Sequence, residues 1–255
     1  MKANKISIII PVFNEINTLK QILEKVENAE FCSLEKEIIL VDDGSEDGTR
    51  ELLKVFEENN EYKNEFALQT GKAGSSGLTP ASHKILYHAK NMGKGAAVRT
   101  ALYYAAGDII IIQDADLEYN PDDYNELISL IINDKVDVAY GSRFLASESR
   151  KRFGFLQYLG NKSLTILTNM LFGVGLTDME TCYKAFRADI IRNISIKSNK
   201  FDFEPEITAK ILKLKYHLQE VPISYNGRNY TEGKKIGWKD GFSAIKALMW
   251  YRVFD

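Results

Sequence analysis

The chain has 255 residues, 45% of them hydrophobic and 27% charged, enough apolar material for a core and incompatible with global disorder. Lys plus Arg number 33 against 35 Asp plus Glu, a formal net charge of −2, which argues against a general nucleic-acid binder. The two cysteines, Cys32 and Cys182, with no CxxC, exclude a disulfide framework and a Cys-based zinc site.

The opening run MKANKISIIIPVFNE is closed by Glu15 with no small-residue cleavage site after it, so it reads as a strand over Lys5–Val12 and not as a signal peptide. Ile16, Leu19, Ile22, Leu23 and Val26 follow at helical spacing up to about Asn28. Glu37–Val41 is a second buried strand, ending in Asp42-Asp43-Gly44-Ser45, and a helix runs from about Asp47 to Glu58. Alternation of this kind predicts a parallel sheet with right-handed crossovers. From Asn59 to about His83 the pattern breaks into a polar inserted loop that contains GKAGSSG, which is not a P-loop; no GxGxxG occurs either. Strands are then expected at Lys84–His88, Asp108–Gln113 and Val136–Tyr140, with helices from Lys94 to about Ala106 and from Pro121 to about Asn133. In the second half, helices are expected over Phe153–Phe172, Phe203–Leu214 and Gly237–Phe254, one or two strands over Tyr216–Tyr225, and a polar segment dense in functional groups over Thr177–Arg187. No apolar stretch is as long as a membrane span, so a soluble or peripheral protein is expected. The whole chain, 1–255, reads as a single domain, with a nucleotide-binding half at about 5–145 and an acceptor-side half at about 146–255.

Two acidic clusters, Asp42-Asp43 and Asp114-Ala115-Asp116, follow the carboxyl ends of predicted parallel strands, the edge where open α/β sheets bind ligands. On an extended strand end, Asp114 and Asp116 point to the same side, which suits Mg²⁺ or Mn²⁺, ions that prefer oxygen ligands. Asp42 and Asp43 can cap the following helix, hold nucleoside donor groups, or do both. Arg143 stands at another strand end, and Arg228 and Lys234 lie in a later loop; around a metal, three such cations would serve a diphosphate. Asn91-Met92-Gly93-Lys94-Gly95 at a helix N-terminus offers an anion or sugar site, or close packing of the helix on the sheet.

These residues resemble the inverting glycosyltransferases of family 2, through IIIPVFNE (8–15), IILVDDGSEDGT (38–49), NMGKGAAVR (91–99), GDIIIIQDADLEYNPDD (107–123) and VAYGSRF (138–144). GSR, TDMETCYKAFR (177–187) and VPISYNGRNYTEGKKIGWKDG (221–241) are similar to the polyprenyl-phosphate sugar transferases, the branch of the dolichyl-phosphate mannosyl and glucosyl synthases. The resemblance implies the GT-A fold, an α/β architecture with a Rossmann-like, mostly parallel central sheet flanked by helices. It implies a metal-dependent transfer of a hexose, mannose or glucose, from a GDP- or UDP-sugar to a dolichyl or undecaprenyl phosphate. Pro11, Phe13, Glu15, Val41 and Asp43 would line the nucleoside pocket. Asp114, Asp116 and Glu118 would hold the metal, the last standing where many relatives have Gln, and Ala115 would touch the donor through its backbone. Arg143 would sit near the donor phosphates or the acceptor phosphate, and Arg228 and Lys234 would clamp the diphosphate. Asp116, Arg143 and Asp178 are the catalytic candidates. Asp178 would serve as base, or orient the acceptor, if that acceptor were a sugar hydroxyl on a growing glycan; its plainer reading is a loop or N-cap aspartate. A phosphate acceptor is already anionic and needs no strong base.

A lipid acceptor also implies peripheral binding at the cytoplasmic face of a membrane, directly or through a membrane-protein partner. Arg150-Lys151-Arg152 beside Phe153, Phe155, Leu156 and Tyr158, and the last helix with Trp238, Phe242, Ile245, Met249 and Trp250, suit an interface as well as a core. A receiver domain would leave the 91–99, 177–187 and 225–235 motifs unexplained, and a sugar nucleotidyltransferase would need a Gly-rich pyrophosphate loop. A non-catalytic sugar-nucleotide-binding homologue would be expected to lack the acidic and basic set found here.

Overall fold

A computed structural model describes residues 2–30, 34–58, 81–146, 154–227 and 238–254. Seven strands form one sheet: β1 (Lys5–Val12), β2 (Glu35–Asp42), β3 (Ser82–Tyr87), β4 (Ile109–Ile112), β5 (Val138–Ser142), β6 (Lys184–Arg187) and β7 (Leu218–Pro222). Their order is β3-β2-β1-β4-β6-β5-β7. The helices are α1 (Leu19–Asn28), α2 (Thr49–Glu58), α3 (Lys94–Tyr104), α4 (Tyr124–Ile132), α5 (Phe155–Phe172), α6 (Ala188–Asn193), α7 (Phe203–Lys213) and α8 (Trp238–Val253). A 3₁₀ turn over Pro121–Asp123 leads into α4.

The expected strands form because their side chains can be covered on both faces. Ile6, Ile8, Ile9, Ile10 and Val12 of β1, and Ile109–Ile112 of β4, are buried regardless of parity, as in parallel sheets with helices on either side. Helix α1 buries Leu19, Ile22, Leu23 and Val26, its single apolar stripe.

One strand departs from the sequence reading. The polar segment 177–187 ends in β6, which lies antiparallel between β4 and β5 and is buried at Lys184, Ala185 and Phe186. Lys184 is fully buried because its ammonium donates to Glu204 of α7 and to the carbonyls of Met179 and Thr181. A lysine in a four-residue strand hides the strand from any hydrophobic pattern. The region 216–225 yields one strand, β7, and an isolated bridge between Tyr225 and Tyr119. With β6 the sole reversed strand among the described residues, the carboxyl ends of β1, β2, β4 and β5 open on the same edge of the sheet.

Helices α5 and α8 pack together over Met179, Ala247, Leu248 and Tyr251, and Arg252 Nε donates to the Leu171 carbonyl. Their other faces expose Leu159, Ile166 and Met170, and Phe242, Met249, Trp250 and Val253. Each helix therefore supplies both a core face and an apolar surface. No helix among the described residues is long and apolar enough to cross a membrane. Residues 150–153 and the side chains of Phe155, Leu156 and Trp238 lie outside the described residues, as do Cys32 and all of the polar loop but 81–83.

Candidate active site

A cavity of about 340 Å³ opens at the carboxyl edge of the sheet. Pro11, Phe13, Glu15, Asp43, Asp114, Ala115, Asp116, Glu118 and Arg143, drawn from the ends of four strands, all line it. Val41 does not: its side chain is fully buried in the core of β2. Arg228 and Lys234 lie outside the described residues.

The β1 and β2 ends are stitched together. Asn14, in the left-handed region at φ 52°, donates its backbone N–H to Ser45 Oγ and accepts from the Glu46 N–H. Glu15 receives Thr18 Oγ1 on its carboxylate and donates its N–H to Thr49 Oγ1. The adjacent aspartates have different surroundings. Asp42 is fully buried, paired with Arg50 and accepting from the Ser45 N–H, and so builds the turn. Asp43 faces the cavity and accepts from the N–H groups of Met92 and Gly93 at 2.9 and 2.7 Å, with His88 Nδ1 at 2.7 Å.

That contact fixes the 91–95 segment, and glycine is required there. A Cβ on Gly93, at φ +99°, would stand 2.3 Å from the Asn199 carbonyl oxygen, and one on Gly95 would stand 2.4 Å from that of Ser198. At these two glycines the close approach is to the 198–200 loop, while the helix that follows packs on β1 and β2 through Ala97, Val98 and Ala101. Asn91, Gly93 and Lys94 nonetheless face the cavity.

At the end of β4, buried Gln113 sets the exit of the chain: its Oε1 accepts from both Tyr124 and Tyr183 hydroxyls at 2.6 Å. Asp114 and Asp116 follow. Lys94 Nζ lies 2.8 Å from Asp114 Oδ1 and 3.0 Å from Glu204 Oε1. Burial would discharge that lysine, but Asp114 in particular holds its ammonium above the ordinary lysine range. Asp116 accepts from the Glu118 N–H at 3.0 Å. Glu118 accepts from the Tyr225 hydroxyl at 2.9 Å, so its carboxylate is tied to the far side of the site.

Arg143 is buried, ringed by Tyr225, Phe144 and Tyr119 at 5.2, 5.9 and 6.0 Å from its guanidinium carbon to the ring centres. Asp178 takes Nε and Nη2 at 2.7 Å each. Burial opposes the Arg143 charge and Asp178 more than offsets it. Asp178 itself is fully buried and does not line the cavity. In this geometry both of its carboxylate oxygens hold the arginine. Glu220 of β7 in turn accepts from the N–H groups of Thr177 and Asp178.

Lys94, from the segment expected to offer an anion or sugar site, lines the cavity, as do Glu180, Cys182, Glu204 and Tyr225, which the sequence reading did not single out for it. Burial, reinforced by Glu204, raises the Glu180 carboxyl to about 7. Among the described residues no group of three or more His, Cys, Asp or Glu side chains is gathered as a ready metal cluster. Asp114 and Asp116 present an oxygen-only pair at a shared wall.

A mostly parallel sheet with its acidic cavity at the carboxyl edge is the GT-A architecture. It is similar to the glucosyl-3-phosphoglycerate synthase of Mycobacterium tuberculosis crystallised with UDP, with a TM-score of 0.68 at 14% identity over 98% of this chain and 80% of that one. The same enzyme with Mn²⁺, UDP and phosphoglyceric acid gives 0.67 at 13% identity, over 99% and 80%. The family model "Glycosyl transferase family 2" matches residues 7–195, and the chain belongs to that family and is a glycosyltransferase. Among curated relatives, it is 27% identical to the UDP-N-acetylglucosamine–dolichyl-phosphate N-acetylglucosaminyltransferase of Methanococcus voltae, over 97% of this chain and 96% of that protein. It is 28% identical to the dolichol-phosphate mannosyltransferase of Pyrococcus furiosus, over 91% of this chain and 60% of that protein. It is 24% identical to the polyprenol monophosphomannose synthase of Mycolicibacterium smegmatis, over 95% and 85%.

Proposed function

We propose that this glycosyltransferase moves a sugar, with inversion, from a GDP- or UDP-linked donor to a polyprenyl phosphate, using Mg²⁺ or Mn²⁺. The observation that carries the reading is the meeting of Asp114, Asp116 and the buried, charged Arg143 on one cavity, while Asp178, the candidate base for a sugar-hydroxyl acceptor, is held by Arg143 outside its lining. An attacking phosphate monoester needs no base, because its second ionisation lies near 6. The names of the relatives support the same acceptor class.

Pro11, Phe13, Glu15 and Asp43 form the nucleoside wall. Asp114 and Asp116 fit a hard divalent cation through their oxygen-only donor set, with Lys94 on Asp114 as the resident positive charge. A bound cation would supply Lewis-acid stabilisation of charge on the departing diphosphate. Arg143, held rigid by Asp178, stabilises phosphate charge through a preorganised guanidinium. Arg228 and Lys234 are assigned to the diphosphate by their motif alone. Glu118, held by Tyr225, is assigned to orient the cation site from beside it.

The acceptor reading also assigns the exposed apolar faces of α5 and α8 to peripheral contact with a membrane at its cytoplasmic face. Gln157 of α5 lines the cavity while Leu159, two residues on, is exposed, so the helix runs from the site to that surface.

The deciding experiment pairs GDP-mannose, UDP-glucose and UDP-N-acetylglucosamine with a short polyprenyl phosphate, with and without EDTA. Transfer to the lipid that EDTA stops and Mn²⁺ or Mg²⁺ restores is the expected result. Donor hydrolysis without lipid product would sink the acceptor assignment, and transfer that survives EDTA would sink the metal.

A further inference from the structure

The loop entering β6 carries Glu180 to the cavity wall beside Arg143, Cys182 and Glu204. Its side chain keeps partial exposure, but Oε1 is sealed from solvent and has no hydrogen-bond partner among the described residues. The carboxylates around it each have a cationic partner. Glu204 bridges Lys184 and Lys94, with the second at 3.0 Å. Asp114 has Lys94 at 2.8 Å, and Asp178 has Arg143. A sealed oxygen in a ligand cavity requires a donor; none of the described residues supplies it, and a ligand in the cavity can.

The chemistry of the surroundings selects the ligand group. Glu204 and Asp178 add negative potential at Glu180, opposed by Lys184 and Arg143. An ionised carboxyl turned on the phosphates would repel them. A sugar hydroxyl is neutral, donates to a carboxylate and accepts from a protonated carboxyl, so it satisfies Glu180 in either state. We propose that Glu180 is a specificity-determining residue that hydrogen-bonds a hydroxyl of the transferred sugar. The assignment rests on the cavity being the donor site of a polyprenyl-phosphate sugar transferase.

The test is calorimetric titration of the full chain, as wild type, Glu180→Gln and Glu180→Leu, with Mn²⁺ present. UDP-N-acetylglucosamine, UDP-glucose and GDP-mannose are offered first. The sugar nucleotide that binds is then compared with its own nucleoside diphosphate. Glu180→Leu is expected to weaken the sugar nucleotide by about 10- to 100-fold, the range for losing a hydrogen bond to a charged group, and the nucleoside diphosphate by less than about two-fold. Glu180→Gln, which keeps both a donor and an acceptor, should fall between. Among deoxy-sugar analogues, one should cost the wild type that same factor and cost Glu180→Leu nothing further.

Equal weakening of both ligands would overturn the assignment and leave Glu180 a structural residue. Unchanged sugar-nucleotide affinity with kcat alone lost would overturn it too, moving Glu180 to the acceptor as a base. A wild type that binds nucleoside diphosphate but no sugar nucleotide would overturn the donor reading together with it.

Discussion

The Asp178 carboxylate grips Arg143 three times, through Nε and Nη2 at 2.7 Å and the backbone N–H at 3.0 Å. The pair joins the end of β5 to the loop before β6, across 35 residues of sequence. Removing the carboxylate leaves a buried cation without its counter-charge. Asp178→Ala should therefore lose about 3–5 kcal/mol of stability in urea unfolding. A double replacement, Arg143→Met with Asp178→Leu, should lose less than the two single changes added together. Were Asp178 a base instead, Asp178→Asn would stop turnover and leave the unfolding midpoint where it is.

Asp116 differs in kind, since its carboxylate faces the cavity and accepts from the backbone N–H of Glu118. Asp116→Asn keeps that acceptor and removes the charge. Turnover should fall by about 10²–10³-fold or more, with stability within about 1 kcal/mol of wild type. Activity assays and thermal unfolding on the same preparation check both halves.

Gly93 tests the fixing of the 91–95 segment. Its φ of +99° and the 2.3 Å approach to Asn199 leave no room for a methyl group. Gly93→Ala should cost about 2–3 kcal/mol through strain and overpacking and weaken donor binding, because the Asp43 contact moves with the segment. Gly175, where a Cβ would meet nothing within 4 Å, should tolerate the same change with the donor affinity of wild type.

Glu180 gives the protein a pH signature. Its folded value of about 7 lies above the ordinary 4.5, so between those two the folded state binds the extra proton. The favourable contribution is complete below about 4.5 and fades as pH rises through 7. Glu180→Gln, which never ionises, should match wild type near pH 4 and exceed it by about 2 kcal/mol at pH 8. Urea midpoints across pH 4–8 measure it; a gap constant with pH would remove the buried carboxyl as its source.

The frame and much of the cavity are legible in local pattern. Parallel strands covered on both faces must be continuous apolar runs, so β1, β2 and β4 announced themselves, and with them the edge that carries Asp43, Asp114, Asp116 and Arg143. Contacts between distant segments settle the rest. Lys184 is a charge inside a core strand, tolerable because Glu204 arrives from α7 to neutralise it. Val41 precedes Asp42-Asp43 at a strand end, yet the sheet turns its side chain into the core. Asp178 read as a free loop acid until the reversed β6 carried it beneath Arg143, and the same reversal carried Glu180 to the cavity wall. Such partnerships join residues far apart in the chain, and a local pattern records each residue's own preference for burial, never the partner that makes its burial possible.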